Sequence, residues 1–245
     1  MERPVVALDN YEAVYDFYLE HRQSRPVARA AYALLAARYR PRVCCDDGVR
    51  DRLRELIRAR TPLLIVANHL THSDQYVLAA TAWRSPLRPV IGSTRVLAKD
   101  ELFADESQRR KIDMMGGIPV FRAKNHGLRA VSDAGRRMMD VSAARLHHGD
   151  SVAIFPEGTC NEGDPTRLQP LGTGIGHIVR RSRDLGARPA LVCVGIGYGP
   201  GKDPSRPASV FLTEPVTDLD GKVRDVTRLV QDELQRAVDG AVARY

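Results

Sequence analysis

Pro62-Leu63-Leu64-Ile65-Val66 runs straight into Ala67-Asn68-His69-Leu70-Thr71-His72-Ser73-Asp74. The opening run is apolar at every position, the pattern of a strand buried on both faces. Gln75 to Trp83 is mostly helix-forming, and Ser73 or Asp74 is placed to cap its start. The stretch therefore reads as a strand, a corner and a helix. His69 leaves the strand end, and Asp74 follows close enough to touch its imidazole. A carboxylate on one ring nitrogen fixes the tautomer and frees the other nitrogen to take a proton from a hydroxyl. The same spacing also suits a surface histidine beside an N-cap aspartate. Position in the fold and neighbouring motifs must separate the two.

Outward from that corner, strands and helices alternate. Strands are expected at 62–66, 89–91, 118–121, 152–155, 190–196 and 209–212. A helix over 48–60 carries Val49, Leu53, Leu56 and Ile57 on one face, and 75–83 forms the next. The segment 97–115 is partly helical. A helix from 128 shows Val131, Ala134, Met138 and Val141 on its apolar side, 176–183 forms another, and a last one carries Val226, Leu229, Val230, Leu234, Ala237 and Val238. This alternation predicts an α/β domain over residues 47–245, with a largely parallel central sheet flanked by helices. The Pro/Gly-rich stretch 199–207 reads as a loop within it, not a linker.

Residues 1–46 form an N-terminal helical segment of different composition. Tyr11, Tyr15, Phe17, Tyr18, Tyr32 and Tyr39 crowd into it. A break is expected near Ser24-Arg25-Pro26, because proline cannot continue a helix interior. The second piece is amphipathic, with Val27, Ala31, Leu34 and Leu35 on one side and Arg29, Arg38, Arg40 and Arg42 available to flank them. That composition suits a helix lying in a membrane interface. It equally suits a helix packed on its own domain with a solvated basic face.

The 245 residues, 43% hydrophobic, suffice for one domain with a sizeable core. Cys44, Cys45, Cys160 and Cys193 show no zinc spacing, and the adjacent pair does not suit a disulfide, so a reducing cytoplasm is expected. Met1-Glu2-Arg3-Pro4 opens no charged-then-apolar leader pattern, and no run approaches the ~18 apolar residues of a membrane span. The formal charge of +7 points to an anionic partner, whether lipid headgroup, nucleic acid or phosphorylated substrate. Scattered arginines without a recognisable nucleic-acid motif argue against nucleic acid.

Further stretches carry chemistry. Ala98-Lys99-Asp100-Glu101-Leu102-Phe103 precedes Gly116-Gly117-Ile118-Pro119-Val120-Phe121-Arg122. An arginine just past a strand end can fork onto a phosphate, or it can be a solvated surface charge. Ile154-Phe155-Pro156-Glu157-Gly158-Thr159 ends a strand and sets a carboxylate, a glycine and a hydroxyl in a tight turn. Ligand sites of open α/β sheets collect at that edge. Glu157 can alternatively serve as an acceptor for neighbouring loop amides. Gly172-Thr173-Gly174-Ile175-Gly176 and Gly195-Ile196-Gly197-Tyr198-Gly199 could each cradle an anion or simply allow close packing.

Taken in order, these stretches resemble the glycerophospholipid acyltransferase family, of the 1-acylglycerol-3-phosphate acyltransferase type. Asn68-His69 with Asp74 is similar to its NHx4D motif, Ala98 to Phe103 to its AK-x-EL segment, Gly117 to Arg122 to its second motif and Phe155 to Thr159 to its FPEGT. The strand 190–196 falls at its fourth, apolar motif. The resemblance covers about residues 47 to 200. It implies transfer of a fatty acyl group from a thioester, on CoA or acyl carrier protein, to a hydroxyl of a glycerol-phosphate or lysophospholipid acceptor. His69 would be the general base and Asp74 its orienting partner. Lys99, Arg122, Glu157, Gly158 and Thr159 would bind substrate. The resemblance implies no metal and no cofactor beyond the thioester co-substrate. It further implies a cytoplasmic protein, peripheral on the inner face of an anionic membrane. Cys160-Asn161 stand where the family usually has Arg-Ser, and Gln169-Pro170-Leu171-Gly172 lacks its usual lysine. Arg167 or Lys99 could compensate, or the acceptor is not a simple glycerol phosphate. Two other readings stay open. One is a non-catalytic or altered-acceptor lipid-binding relative. The other is a metal-dependent hydrolase using His69, His72 and Asp74, although catalytic zinc wants three protein ligands.

Overall fold

A computed structural model describes residues 3–199 and 202–245. Met1 and Glu2, where the leader reading begins, lie outside the described residues, as do Pro200 and Gly201 of the 199–207 loop. The elements run α1 (Tyr11–Glu20), α2 (Arg25–Tyr39), β1 (Arg42–Cys45), α3 (Val49–Arg58), β2 (Leu63–Ala67), α4 (Asp74–Arg84), β3 (Thr94–Lys99), α5 (Glu106–Met114) and β4 (Gly117–Val120). They continue with α6 (Ala123–His126), α7 (Val131–His147), β5 (Ser151–Ile154), α8 (Gly174–Asp184), β6 (Ala190–Gly197), β7 (Ser209–Leu212) and α9 (Val223–Val242). One seven-stranded sheet has the order β1-β7-β6-β2-β5-β3-β4. Its pairings are parallel except β6 with β7. The α/β architecture expected from the alternation is the one observed.

β2 shows why the sheet is covered twice. Leu63, Ile65 and Ala67 join Leu53 and Leu56 of α3 and Val77 and Leu78 of α4 in one apolar cluster. Leu64 and Val66 join Val141 of α7, Ile178 of α8 and Val230 of α9 in another. Side chains alternate faces along a strand, so an all-apolar run needs a helical layer on each side.

Two local expectations give way. Residues 88–90 form a 3-10 turn, not a strand, in keeping with the fixed φ and missing N–H of Pro89. The strand comes later, at Thr94–Lys99, and its second half overlaps the segment 97–115 that reads partly as helix. Its polar start conceals it: Arg95 is buried and satisfied by Asp150 Oδ2 at 2.8 Å. The helical part of that stretch begins at Glu106. The edge strand β1 has no apolar run to announce it.

α1 and α2 use their side chains differently. In α1, Tyr15 donates to the Pro119 carbonyl at 3.0 Å and Tyr18 to Asp113 Oδ1 at 2.8 Å, so the aromatic cluster is largely core. α2 lies on α4 and buries Ala28, Tyr32 and Ala36. Val27 and Leu34 face outward, 49% and 73% exposed. The 46/47 boundary falls just past β1, which is hydrogen-bonded to β7. Among the described residues no helix is long and apolar enough to cross a membrane.

Within the glycine clusters, Gly195 and Gly176 serve close packing, whereas Gly172 and Gly174 have open space beside them. A Cβ on Gly195 would meet the Ala237 carbonyl oxygen of α9 at 1.9 Å, and one on Gly176 the Val223 oxygen at 2.3 Å.

Candidate active site

Four neighbouring strands, β2, β5, β3 and β4 in lateral order, end at the same edge of the sheet. His69 follows β2, Glu157 and Cys160 follow β5, Lys99 closes β3 and Arg122 follows β4. Adjacent strands are roughly 4.8 Å apart, so the His69 and Arg122 strand ends are separated by about 14 Å.

At the β2 end the chain must turn away from the sheet without leaving its last rung unpaired. The Asn68 side chain completes that rung: its Nδ2 donates to the Ile196 carbonyl at 2.9 Å and its Oδ1 accepts from Ile196 N at 2.7 Å. A carboxamide mimics a peptide unit here, which explains an asparagine immediately before the histidine. Every other main-chain polar group at His69 is also engaged. Its N–H donates to Glu157 Oε1 at 2.8 Å and its carbonyl accepts from Asn161 N at 2.6 Å.

Asp74 opens α4 but caps nothing ahead of it. Its carboxylate points back into the corner and is wholly buried. A buried carboxylate requires donors, and five converge on it: Leu70 N, Thr71 N, the Thr71 and Tyr198 hydroxyls, and Nδ1 of His69 at 2.9 Å. Tyr198 donates at 2.7 Å. Burial, and after it the Asp74 charge, push the Tyr198 phenol well above its ordinary range, so the hydroxyl remains a proton donor. With Asp74 accepting from this side, the neutral tautomer that fits the corner carries its hydrogen on Nδ1 and a lone pair on Nε2. The Phe155 ring stacks on the imidazole at 4.6 Å and fixes its plane. Nε2 looks toward the Sγ of Cys160, 3.5 Å away, and that sulfur lies 3.7 Å from Nδ1 of the exposed His72.

The other predicted site residues separate into two groups. Glu157 spends both oxygens on loops: Oε1 on His69 N and Oε2 on Gln169 N at 2.9 Å. It ties the two loops that frame the imidazole. Gly158, at φ +73°, and Thr159 follow in the exposed turn. Across the edge, Arg122 pairs with Glu101 Oε1 at 2.5 Å, and Asn125 Nδ2 donates to the same oxygen at 2.6 Å. Desolvation raises the Glu101 carboxyl, but hydrogen bonds from its own backbone, Arg122 and Asn125 outweigh it and hold the group at about 2. Lys99 lies between the two ends, half-buried, and its charge is felt at the Cys160 thiol. Arg167 is exposed, whereas Asn161 is buried and bonds to the Asp164 and Arg167 carbonyls. Lys202 donates to the Asn161 and Gly163 carbonyls, fastening the same loop. Among the described residues no three His, Cys, Asp or Glu are grouped to hold a metal ion.

Sequence reasoning missed Tyr198 and the part played by Asn68. Tyr198 was visible only as the tyrosine inside a glycine cluster, and the β2–β6 pairing that brings it to Asp74 joins residues more than a hundred positions apart.

Residues 48–196 match the family described as Acyltransferase. The lyso-ornithine lipid O-acyltransferase of Rhizobium meliloti (strain 1021) is 28% identical over 139 residues, 54% of this chain and 39% of that protein. The protein of the same name from Brucella abortus (strain 2308) is 29% identical over 154 residues, 62% of this chain and 50% of that protein. The aligned part thus spans half or less of each relative's length. The matched span contains the whole β2 corner, the β5 turn and the Arg122 end, and leaves Tyr198 and Lys202 just outside. On that match the chain belongs to the Acyltransferase family.

Proposed function

We propose that the protein is an O-acyltransferase that moves a fatty acyl group from an acyl thioester, on CoA or acyl carrier protein, to a hydroxyl of a lyso-lipid acceptor. One observation carries the reading. The N–H, carbonyl and Nδ1 of His69 are held by Glu157, Asn161 and Asp74, and Nε2 is left beside the Cys160 thiol at the sheet edge where β2 and β5 end. A base so held takes the acceptor's proton as the hydroxyl attacks the thioester, and returns it to the leaving thiolate. Asp74 holds the imidazole in the right tautomer throughout. The chemistry calls on no metal and no redox cofactor.

The acceptor end supports a headgroup other than bare phosphate. Cys160 brings no cation, and the Asn161 carboxamide is consumed by its own loop. Arg122 comes paired with Glu101, so this end offers one group of each sign. An amino-acid headgroup, such as the relatives' names describe, matches that pair better than a phosphate does. Glycerol phosphate and lysophosphatidate are the runner-up acceptors.

The membrane-facing surface in this reading is the outer side of α2, with Val27 and Leu34 exposed among Arg25, Arg29 and Arg38. In this reading the protein sits peripherally on an anionic, cytoplasmic membrane face rather than on nucleic acid.

The test is a panel of long-chain acyl-CoAs and acyl carrier proteins against lyso-ornithine lipid, lysophosphatidate, glycerol 3-phosphate and neutral lipids, with product mass and thiol release followed together. Acylated lyso-lipid is expected, and none from His69→Ala. Thiol release that is indifferent to His69→Ala would refute the assignment.

A further inference from the structure

The nitrogen that Asp74 leaves unused on His69 faces a sulfur. Asp74 Oδ2, His69 Nδ1, His69 Nε2 and Cys160 Sγ form a continuous series, 2.9 Å across the first contact and 3.5 Å across the last. A nucleophile within reach of a base whose other side is oriented by a third group is the arrangement that activates a side chain for covalent catalysis. The placement is enforced, because the next residue, Asn161, donates its N–H to the His69 carbonyl and its loop is held by Lys202 and Glu157. Cys160 is half-buried at the open sheet edge, unlike Cys193, which is sealed in the core.

We propose that Cys160 is an acyl-carrying nucleophile, so that the fatty acyl group passes from the donor thioester to Sγ before it reaches the acceptor hydroxyl. This rests on the thioester-dependent transfer argued above. In the first half, Nε2 takes the Cys160 proton while Sγ attacks the thioester carbonyl carbon. The new S–C bond forms, the donor's C–S bond breaks, and the departing thiolate takes the proton from Nε2. One thioester replaces another, so no oxidant or reductant enters. In the second half, the acceptor hydroxyl gives its proton to Nε2 and attacks the acyl-cysteine. The ester C–O bond forms, the Sγ–C bond breaks, and Sγ recovers the proton. Acylation removes the S–H that faces Nε2 at rest, which frees the same base for the second hydroxyl-activating role.

Burial, and after it the Asp74 charge, raise the Cys160 thiol against the opposing pull of Lys99. The resting group is therefore a neutral thiol that ionises only as His69 takes its proton, as a serine does in a hydrolase triad.

The experiment mixes the full chain with a fatty acyl-CoA in the absence of acceptor, quenches in acid during the first turnover, and reads intact mass and peptide map. One acyl group on Cys160, released by neutral hydroxylamine and matched by a stoichiometric burst of CoA thiol, is the expected result. Cys160→Ala should lose both adduct and burst, and Cys160→Ser should accumulate a hydroxylamine-resistant oxygen ester. If lyso-lipid is acylated, no adduct forms on Cys160 and Cys160→Ala transfers at the wild-type rate, the inference is overturned and the proposed function stands. If no thioester releases thiol with any acceptor, both fall together.

Discussion

The two ends of the site are built on opposite principles. At the β2 end a fully buried carboxylate gathers five donors, and the imidazole it orients is pinned through its main chain as well. At the β4 end Glu101 and Arg122 meet with their side chains 44% and 21% exposed, helped by a single amide. A buried network resists rearrangement because any lost partner leaves an unsatisfied polar group. An exposed ion pair contributes only about 0–1 kcal/mol and can be remade around a ligand. In the proposed mechanism the contrast means that proton-transfer geometry exists before substrate arrives, whereas headgroup recognition is assembled on arrival.

The largest effects should come from breaking the rigid end. His69→Ala should lower turnover by roughly 10²–10⁴-fold and, by taking one donor from the buried Asp74 carboxylate, cost about 1.5–3 kcal/mol of stability; steady-state kinetics and denaturant melts read the two separately. Asp74→Asn should approach that loss and also cost about 2–4 kcal/mol, since its amide hydrogens would confront the donors that now face an acceptor. A variant that melts like wild type would dissolve the contrast between the ends. Tyr198→Phe sharpens it: removal of one donor to a carboxylate should cost about 1.5–3 kcal/mol in chemical denaturation while retaining measurable turnover.

Smaller effects belong to the exposed end. Arg122→Ala should leave stability within about 1 kcal/mol of wild type and raise the acceptor's KM with little change in kcat. A pure loss of turnover would contradict a binding role. Glu101 has a folded pKa depressed from 4.5 to about 2, so its contribution is present above the ordinary value and disappears as pH falls through about 2. The small Tm difference between wild type and Glu101→Gln should therefore exist near neutrality and close in strong acid. Farthest from the chemistry, Leu34→Glu on α2 should weaken co-sedimentation with anionic vesicles without altering the melt, because Leu34 is 73% exposed.

Legibility in the sequence followed how local each signal is. The His69–Asp74 contact spans five residues across one corner, and an apolar strand beside a helix announces it. β2, β5 and β6 were readable because burial on both faces demands uninterrupted apolar residues. β3 was misplaced because its burial is partly ionic, through Arg95 and Asp150. The aromatic cluster of α1 suits membrane or core equally in sequence, and only its docking against Pro119 and Asp113 assigns Tyr15 and Tyr18 to the core. Tyr198 and Cys160 could not be tied to His69 and Asp74 without the strand order, because contacts across more than ninety residues carry no periodicity.

The peptide of His69 belongs to two loops at once, its N–H held by Glu157 and its carbonyl by Asn161. Any attempt to transplant the histidine corner between family members should therefore move residues 68–74 and 157–161 as one cassette. A chimera that joins one parent's corner to the other's turn would put the ring askew even though each segment is intact. The backbone from 162 to 168 is tied to that joint through Asn161 and Lys202, so variation there belongs in exposed side chains such as Glu162.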